Sequence, residues 1–380
     1  MVFLDHAATT DLRPEARDAW LNAAAVAGNP ASLHARGRVA RRIVEESREH
    51  IGEALGVPPA AVVFTSGGTE SDNIAISGSL ADDRSIAVPG TEHKAVLEPA
   101  EGLGPDRVRW LEVDSEGRLD AAEVKDLLAD DPRIGLVTAM AVNNETGVIH
   151  PIAELAAVCR ETGVPLHVDA VQALGVVDVD LSGVTTSAFS AHKVGGPMGV
   201  GLLTVAPGAT VRPLVRGGGH EGGLRAGTVN VPGIAATAVA VELAVNERDR
   251  HHRHLAALRD RLLAGLAADG SLGARVNSPA DAAPGIVNVS FPGCESDALM
   301  LLLDAAGIAV STGSACTVGI PRPSHVLVAM GRDPVDARSA LRVSFGRTST
   351  DDDVAALLRA LPEAVARARR AAAAGRRTVG

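Results

Sequence analysis

The sequence is poor in aromatic residues and in cysteine. Only 2% of its 380 residues are aromatic, and tyrosine is absent. Nucleic-acid-binding proteins usually show a basic surface and often stack bases on aromatic side chains. The shortage of aromatics and the net charge of −10 therefore argue against direct nucleic-acid binding. The three cysteines are an odd number, so the sequence predicts reduced thiols and a cytoplasmic protein rather than a disulfide framework.

Long apolar runs and a secretory leader are also missing. No run approaches the roughly 20 apolar residues that a membrane helix needs. The first six residues contain neither a basic region nor an apolar stretch. A hydrophobic content of 46% and a charged content of 22% are typical of a globular protein. We expect no membrane association.

Strand and helix patterns alternate along the first half of the chain. The strand segments predicted there are residues 62–65, 85–88, 108–111, 134–142, 166–168, 186–189 and 202–205. Alternation of this kind indicates right-handed crossovers and a largely parallel sheet covered on both faces. A long helical stretch is predicted over 231–266, and an α+β pattern follows from about residue 276. The fold class is therefore α/β, with a mostly parallel central sheet and a smaller α+β part.

One lysine lies among small residues and glycines. Lys193 follows Ser190 and His192 and precedes two glycines. A lysine held out of water has a lowered pKa, so its amine is neutral and nucleophilic and can form a Schiff base with a carbonyl cofactor. A solvated surface lysine is the alternative.

Asp169 closes a short apolar strand upstream of this lysine. An acid at the carboxyl end of a strand faces the crevice in which α/β proteins bind ligands. An aspartate there and a lysine beyond a later strand indicate pyridoxal phosphate (PLP), with the aspartate on the pyridinium nitrogen and the lysine on the aldehyde carbon. A helix-capping aspartate is the alternative.

Segment 66–73 (Ser-Gly-Gly-Thr-Glu-Ser-Asp-Asn) joins a strand to a helix. Glycines let the backbone approach an anion, and the helix N-terminus points free N–H groups at it, so the segment predicts phosphate binding. It matches neither common nucleotide-binding glycine motif. A simple helix cap is the alternative.

Two later loops carry further candidate functional residues. The glycine-rich stretch 216–228 is either a flexible linker or a binding loop, and its His220, Glu221, Arg225 and Thr228 favour binding. The polar loop 311–324 carries Cys316, where a thiolate could react if stabilised. Three histidines at 251, 252 and 254 do not converge on one helix face, so no metal site is predicted.

Together these motifs resemble the cysteine desulfurases of the NifS/IscS-like branch, in the class-V aminotransferase group of PLP enzymes. The segments that carry the resemblance are 4–10, 66–73, 91–94, 143–147, 167–170, 190–193, 313–316 and 341–347. The resemblance implies the aspartate aminotransferase type of fold. It also implies a large PLP-binding domain over 15–250, and a small domain from 1–14 and 251–380 that carries the Cys316 loop.

The resemblance implies roles for individual residues around the cofactor. Lys193 would carry PLP and shuttle protons, Asp169 would pair with the ring nitrogen, and Gln172 would bond the ring hydroxyl. His93 would stack on the ring and assist proton transfer. The phosphate would be held by Gly68, Thr69, Ser190 and His192, joined by Thr228 from the partner subunit of a homodimer.

The resemblance also implies the substrate and the reaction. Asn144, which would contact the cofactor as well, and Arg342 would orient L-cysteine, and Asn29 and His34 would line the same cleft. Cys316 would take the sulfur as a persulfide, release L-alanine and pass the sulfur to an acceptor protein for iron–sulfur cluster or thiolated tRNA synthesis. Three alternatives stay open: a PLP aminotransferase or lyase that does not need Cys316, a selenocysteine lyase, and a regulatory protein on a degenerate PLP fold. The last should lack Lys193 or Asp169.

Overall fold

The computed structural model describes residues 1–313 and 323–378. Its strands are β1 (Val2–Phe3), β2 (Val62–Thr65), β3 (Ser85–Pro89), β4 (Val108–Leu111), β5 (Ile134–Met140), β6 (Leu166–Asp169), β7 (Thr186–Ser190), β8 (Gly201–Val205), β9 (Arg275–Val276), β10 (Ile286–Ser290), β11 (Ile308–Ala309) and β12 (Ala340–Ser344). Its helices are α1 (Pro14–Ala24), α2 (Ala35–Leu55), α3 (Gly68–Ser79), α4 (Lys94–Glu101), α5 (Ala121–Asp130), α6 (Ile152–Thr162), α7 (Val231–Asn246), α8 (Arg248–Ala268), α9 (Ser296–Ala305), α10 (His325–Ala329), α11 (Pro334–Ala337) and α12 (Asp351–Thr378).

A seven-stranded sheet forms the centre of the molecule, in the order β2-β8-β7-β6-β5-β3-β4. Strand β8 runs antiparallel to both of its neighbours, and the remaining pairs, from β7 to β4, are parallel. The predicted α/β fold with a mostly parallel sheet is confirmed. Parallel strands buried on both faces need apolar residues throughout, which is why these segments are nearly continuous apolar runs.

The chain builds two larger apolar cores. One surrounds the central sheet and includes residues of α2, α6 and α7. The other gathers Leu4, Leu255 and Phe291 with residues of α9 and α12, beside a three-stranded sheet in the order β12-β10-β9. The N-terminus therefore packs with the last third of the chain. The predicted boundaries at residues 14 and 250 stay a prediction.

The helical stretch predicted over 231–266 is two helices. Helix α7 ends at Asn246 and α8 begins at Arg248, with Glu247 between them. The Glu247 carboxylate accepts a hydrogen bond at 2.9 Å from the Arg13 guanidinium, which arrives from the N-terminal region. This long-range ion pair lies at the junction, and the apolar periodicity gave no sign of it.

Among the described residues, no helix combines the length and the apolar character that crossing a membrane would take.

Candidate active site

A cavity of about 340 Å³ opens at the carboxyl edge of the central sheet. The parallel register places Met140, Asp169 and Ala188 side by side on β5, β6 and β7, so the segments that follow these strands meet there. The predicted site residues that line this cavity are Gly68, Thr69, His93, Asn144, Asp169, Gln172, Ser190, His192, Lys193 and Arg342. The structure thus brings together residues that are up to 274 positions apart in the chain, from Gly68 to Arg342.

Lys193 ends a short 3₁₀ turn that follows β7 directly. Its Nζ donates hydrogen bonds to the carbonyl oxygens of Ala7 and Ala8, the second at 2.9 Å. Burial lowers the pKa of Lys193 to about 8, and the positive charge of Arg342 adds to the effect. The amine is therefore available in its nucleophilic form close to neutral pH.

Asp169 is buried at the end of β6, with 6% of its surface exposed. Its Oδ1 accepts a hydrogen bond from the Val171 amide at 2.9 Å. Burial, followed by the neighbouring Asp72 carboxylate, raises the pKa of Asp169 to about 7. A protonated ring nitrogen beside this carboxyl would stabilise its charged form, which is the pairing that a pyridinium needs.

Helix α3 begins at Gly68, so its unpaired N–H groups and positive dipole end face the cavity. A Cβ atom at Gly68 would lie 2.7 Å from Cγ2 of Val171, so a larger residue would push on the turn after β6. At the turn that joins β2 to α3, a Cβ atom at Gly201 of β8 would lie 2.4 Å from the backbone carbonyl carbon of Gly67. The close approach of β8 to this turn shapes an anion cradle from backbone alone.

Ser190 lies beside this helix end, since a Cβ atom at Gly68 would lie 3.8 Å from the Ser190 Cβ, and His192 lines the same cavity. The Nδ1 atom of His192 lies 3.1 Å from the Thr9 hydroxyl. Burial lowers the pKa of His192 to about 4, and the charge of Lys193 adds to this. His192 is therefore neutral at physiological pH and offers one N–H donor to a ligand or to Thr9.

His93 caps helix α4. Its Nδ1 accepts a hydrogen bond from the Ala95 amide at 3.1 Å, so the proton of the neutral ring sits on Nε2. Burial lowers the pKa of His93, which favours this neutral form. His93 therefore meets the cavity as a hydrogen-bond donor.

Arg342 projects from β12 and is almost fully buried, with 6% of its side chain exposed. Its Nη1 donates to the carbonyl oxygen of Asn144 at 2.9 Å, and its Nη2 donates to Asp5 at 2.7 Å. Its Nε and the Asn144 Oδ1 are buried and have no hydrogen-bond partner among the described residues. Orphaned polar groups on a cavity wall are costly unless a ligand satisfies them.

The residues of this cavity fit PLP. The Lys193 amine, whose pKa is about 8, would react with the PLP aldehyde. The buried Asp169 carboxyl would pair with the ring nitrogen, and the helix N-terminus with its small residues would bind the phosphate.

Some predicted residues are not brought to the cavity. Cys316 lies outside the described residues. Thr228 is exposed and does not line the cavity of its own chain; its predicted place is the partner's site. Asn29 and His34 do not line the cavity of their own chain, and their predicted place in the cleft stays a prediction. Asn29 is exposed and accepts a bond from the Ala31 amide, while His34 caps α2 by accepting from Gly37.

The sequence analysis missed Asp72, which is fully buried at the cavity wall. Its Oδ1 lies 3.1 Å from Nε2 of His167, and burial raises the pKa of Asp72 to about 8. A signal for it existed, because Asp72 is three and four positions after Thr69 and Gly68 and so shares their helix face.

His325 and Glu145 were also missed, and both line the cavity. The Nε2 of His325 lies 2.9 Å from the carbonyl oxygen of Glu92, and the buried Glu145 carboxylate accepts from the Ser324 hydroxyl at 2.5 Å. These contacts join segments that are more than 170 residues apart in the chain, so no local sequence pattern predicts them.

The glycine-rich stretch 216–228 is held against the central sheet. Glu221 forms a two-pronged ion pair with Arg48, at 3.0 and 2.9 Å, and accepts from the Phe64 amide at 2.8 Å. Arg225 donates to Glu70 of α3 at 3.2 Å. These anchors disfavour the linker interpretation and tie the loop to the helix that would hold the phosphate.

The three histidines of α8 each face a backbone carbonyl oxygen, those of Gly175, Val176 and Ser349. Within the described parts of the chain, no group of three or more potential ligands could hold a metal ion.

Comparison with known proteins gives a consistent picture. The Aminotransferase class-V family model matches residues 2–357. The IscS-like cysteine desulfurase of Mycobacterium tuberculosis is 44% identical, over 98% of this chain and 98% of the relative. Cysteine desulfurase IscS of Anaeromyxobacter dehalogenans is 42% identical, over 97% of this chain and 93% of the relative.

Two solved structures are similar as well. A NifS-like protein superposes with a TM-score of 0.89 at 36% identity, covering 96% of this chain and 99% of that one. SspA in complex with cysteine gives a TM-score of 0.77 at 30% identity, covering 91% and 99%.

Proposed function

The chain belongs to the class-V aminotransferase family and is a PLP-dependent cysteine desulfurase, and we propose that the residues lining the cavity at the sheet edge carry out its reaction on L-cysteine. One observation carries the assignment of roles. Lys193, Asp169 and Arg342 line a single cavity, although they come from the turn after β7, from β6 and from β12.

The cofactor is held from three directions. Lys193 would bind it covalently, Asp169 would pair with its ring nitrogen, and Gln172, which donates to the Ala7 carbonyl oxygen, would bond its ring hydroxyl. Gly68 and Thr69 at the start of α3, with Ser190 and His192, hold its phosphate. When bound, PLP supplies a sink for the electron pair that is left when the substrate Cα–H bond breaks.

The substrate is oriented by two groups on the opposite wall. The guanidinium of Arg342 binds the α-carboxylate, and Asn144 offers its unpaired Oδ1. The Lys193 amine would take the proton from the substrate Cα. His93, with its proton on Nε2, donates to the reacting groups.

Sulfur leaves through Cys316. Its thiolate attacks the substrate sulfur, so an S–S bond forms as the S–Cβ bond breaks, and the bonding electrons stay with the carbon skeleton. That skeleton takes up protons and leaves as L-alanine. The Cys316 persulfide then passes its outer sulfur to an acceptor protein. The placement of Cys316 in a polar Gly/Ser/Pro-rich segment supports this role.

The acceptor serves iron–sulfur cluster assembly, which the names of the IscS relatives support, or tRNA thiolation. We also propose that the enzyme is a cytoplasmic homodimer, in which the exposed Thr228 reaches the phosphate in the partner's site. The exposure of Thr228, and its absence from the lining of its own chain's cavity, support this arrangement.

The test compares the wild type with Cys316→Ala and Cys316→Ser, each given L-cysteine and a reductant, with sulfide and alanine measured together. The matched control is Cys159→Ala, because burial raises the pKa of Cys159 to about 12 and keeps it an unreactive thiol. We expect the wild type and the control to make both products, and both Cys316 variants to make neither while retaining PLP absorbance. Activity of Cys316→Ala at the wild-type level would refute the persulfide role.

A further inference from the structure

The N-terminal arm, residues 5–10, reaches the substrate side of the cavity through Asp5. The Asp5 Oδ1 accepts a hydrogen bond at 2.7 Å from Nη2 of Arg342, and Asp5 is the carboxylate paired with Arg342 within the described residues. The Asp5 side chain is 22% exposed and that of Arg342 is 6% exposed. A charged hydrogen bond with so little solvent contact is stronger and more directional than a surface pair.

The position of Asp5 is fixed by backbone bonds on both of its sides. Before it, Leu4 donates its amide to the Ala309 carbonyl oxygen at 2.9 Å and accepts from the Ser344 amide at 2.8 Å; after it, the His6 amide donates to the Ser344 carbonyl oxygen at 3.3 Å. Asp5 then forms a parallel bridge with Ser344, two positions after Arg342 on β12. Side chains two apart on a strand share a face, so Asp5 and Arg342 are diagonal neighbours. Their contact follows from the sheet register.

The guanidinium is fully constrained by these partners. It is planar with five N–H donors, of which one goes to the Asn144 carbonyl oxygen and one to Asp5. Two bonds at different nitrogens fix both the position and the rotation of the plane. The remaining donors include the buried Nε, which has no partner in residues 1–313 and 323–378. A long, flexible side chain is thereby set in one orientation before any ligand arrives.

We propose that Asp5 is a positioning residue, which holds the Arg342 guanidinium in the orientation that meets the α-carboxylate of the amino-acid substrate. The proposal rests on the carboxylate-binding role assigned to Arg342 above. Asp5 itself does not touch the substrate. Its effect appears in substrate binding, and an acceptor oxygen at this position matters more than the negative charge.

The experiment measures KM and kcat for L-cysteine in the full-length holoenzyme of four variants: Asp5→Ala, Asp5→Asn, Arg342→Ala and the double variant Asp5→Ala with Arg342→Ala. Loss of a hydrogen bond to a charged group predicts that Asp5→Ala raises KM about tenfold and leaves kcat within about twofold. Asp5→Asn keeps an acceptor oxygen and stays within about twofold of the wild type in KM. If Asp5→Ala does not fold, Asp5→Ser replaces it, since the hydroxyl is too short to reach.

The matched control is Asp11→Ala. Asp11 is an exposed acid near the same arm, and it accepts a bond from Thr348 rather than from Arg342. We expect its KM to equal that of the wild type. PLP absorbance and thermal midpoint are recorded for every variant, so a misfolded arm is recognised.

Three results would overturn the proposal: a wild-type KM in Asp5→Ala, equal damage from Asp5→Asn and Asp5→Ala, or a further rise in KM when Asp5→Ala is added to Arg342→Ala. A failure of the underlying assignment looks different. Arg342→Ala would then itself leave KM unchanged, whatever Asp5 does.

Discussion

Replacing Glu221 by alanine tests whether a buried ion pair holds the glycine-rich loop 216–228 on the sheet. The Glu221 side chain is 3% exposed and that of Arg48 is 12% exposed. The change would remove both bonds to the guanidinium and orphan the Phe64 amide, which donates to the same carboxylate at 2.8 Å. Arg48 would remain beneath the loop, stacked 4.7 Å from the centre of the Phe64 ring.

The magnitude follows from burial. Breaking a buried pair by removing one partner costs about 3–5 kcal/mol. The remaining Arg48 charge keeps a second partner, Glu45 at 3.1 Å, but Glu45 is 53% exposed and compensates that charge only in part. At about 2.1 cal/mol/K per residue, unfolding of 380 residues has an entropy of about 0.8 kcal/mol/K, so that loss lowers the thermal midpoint by roughly 4–6 °C. The PLP content of the purified protein should fall too, because the loop is tied to α3 through Arg225 and Glu70.

The assay is calorimetry of the holoenzyme at one protein concentration. The matched control is Glu161→Ala, which breaks an exposed pair with Lys125 whose side chains are 63% and 49% exposed, and which should cost less than about 1 kcal/mol. Adding Arg48→Met to Glu221→Ala should recover part of the loss, since no buried charge is then left alone. A thermal midpoint for Glu221→Ala equal to that of Glu161→Ala would refute the reasoning.

Two further predictions concern the cofactor. Apoprotein mixed with PLP should form its lysine linkage at a rate that rises with pH, with a midpoint near the Lys193 pKa of about 8, because only the neutral amine attacks. The measurement is the absorbance of the linkage from pH 6.5 to 10, and Lys193→Ala should show none. A rate that still rises at pH 10 would contradict the prediction. Gly201→Ala should push on the Gly67 backbone, at a cost in stability of about 1–3 kcal/mol. In a cofactor titration this variant should bind PLP about tenfold more weakly than the wild type. The control is Gly270→Ala, where a Cβ atom meets nothing within 4 Å and PLP binding should be normal. Normal PLP affinity in Gly201→Ala would count against the backbone cradle.

Much of the fold could be predicted from local sequence patterns. Strand segments of the central sheet were predicted within one or two residues at most ends, because a buried parallel strand needs an apolar run between polar turns. The placement of Asp169 and Lys193 at one edge follows from the same rule, since parallel strands end together.

Pairings between distant segments could not be predicted in this way. Asp5 and Arg342 are 337 positions apart, and Arg48 and Glu221 are 173 apart. Neither pair leaves a trace in periodicity or composition, because each depends on which distant segments the fold brings together. The helix break at Glu247 belongs to the same class, since its Arg13 partner comes from the other end of the chain.

The arm residues Asp5 and Ala7 connect the substrate-binding side of the cavity to the cofactor-binding side. Asp5 bonds Arg342, where we place the substrate carboxylate, and the Ala7 carbonyl accepts from both Lys193 and Gln172, where we place the cofactor. Two residues of chain span at most about 7 Å. The arm therefore limits how far Arg342 can move relative to Lys193, even though the two side chains belong to different sheets. A substrate gripped at Arg342 is thus presented to the lysine at a distance that the first seven residues help to set.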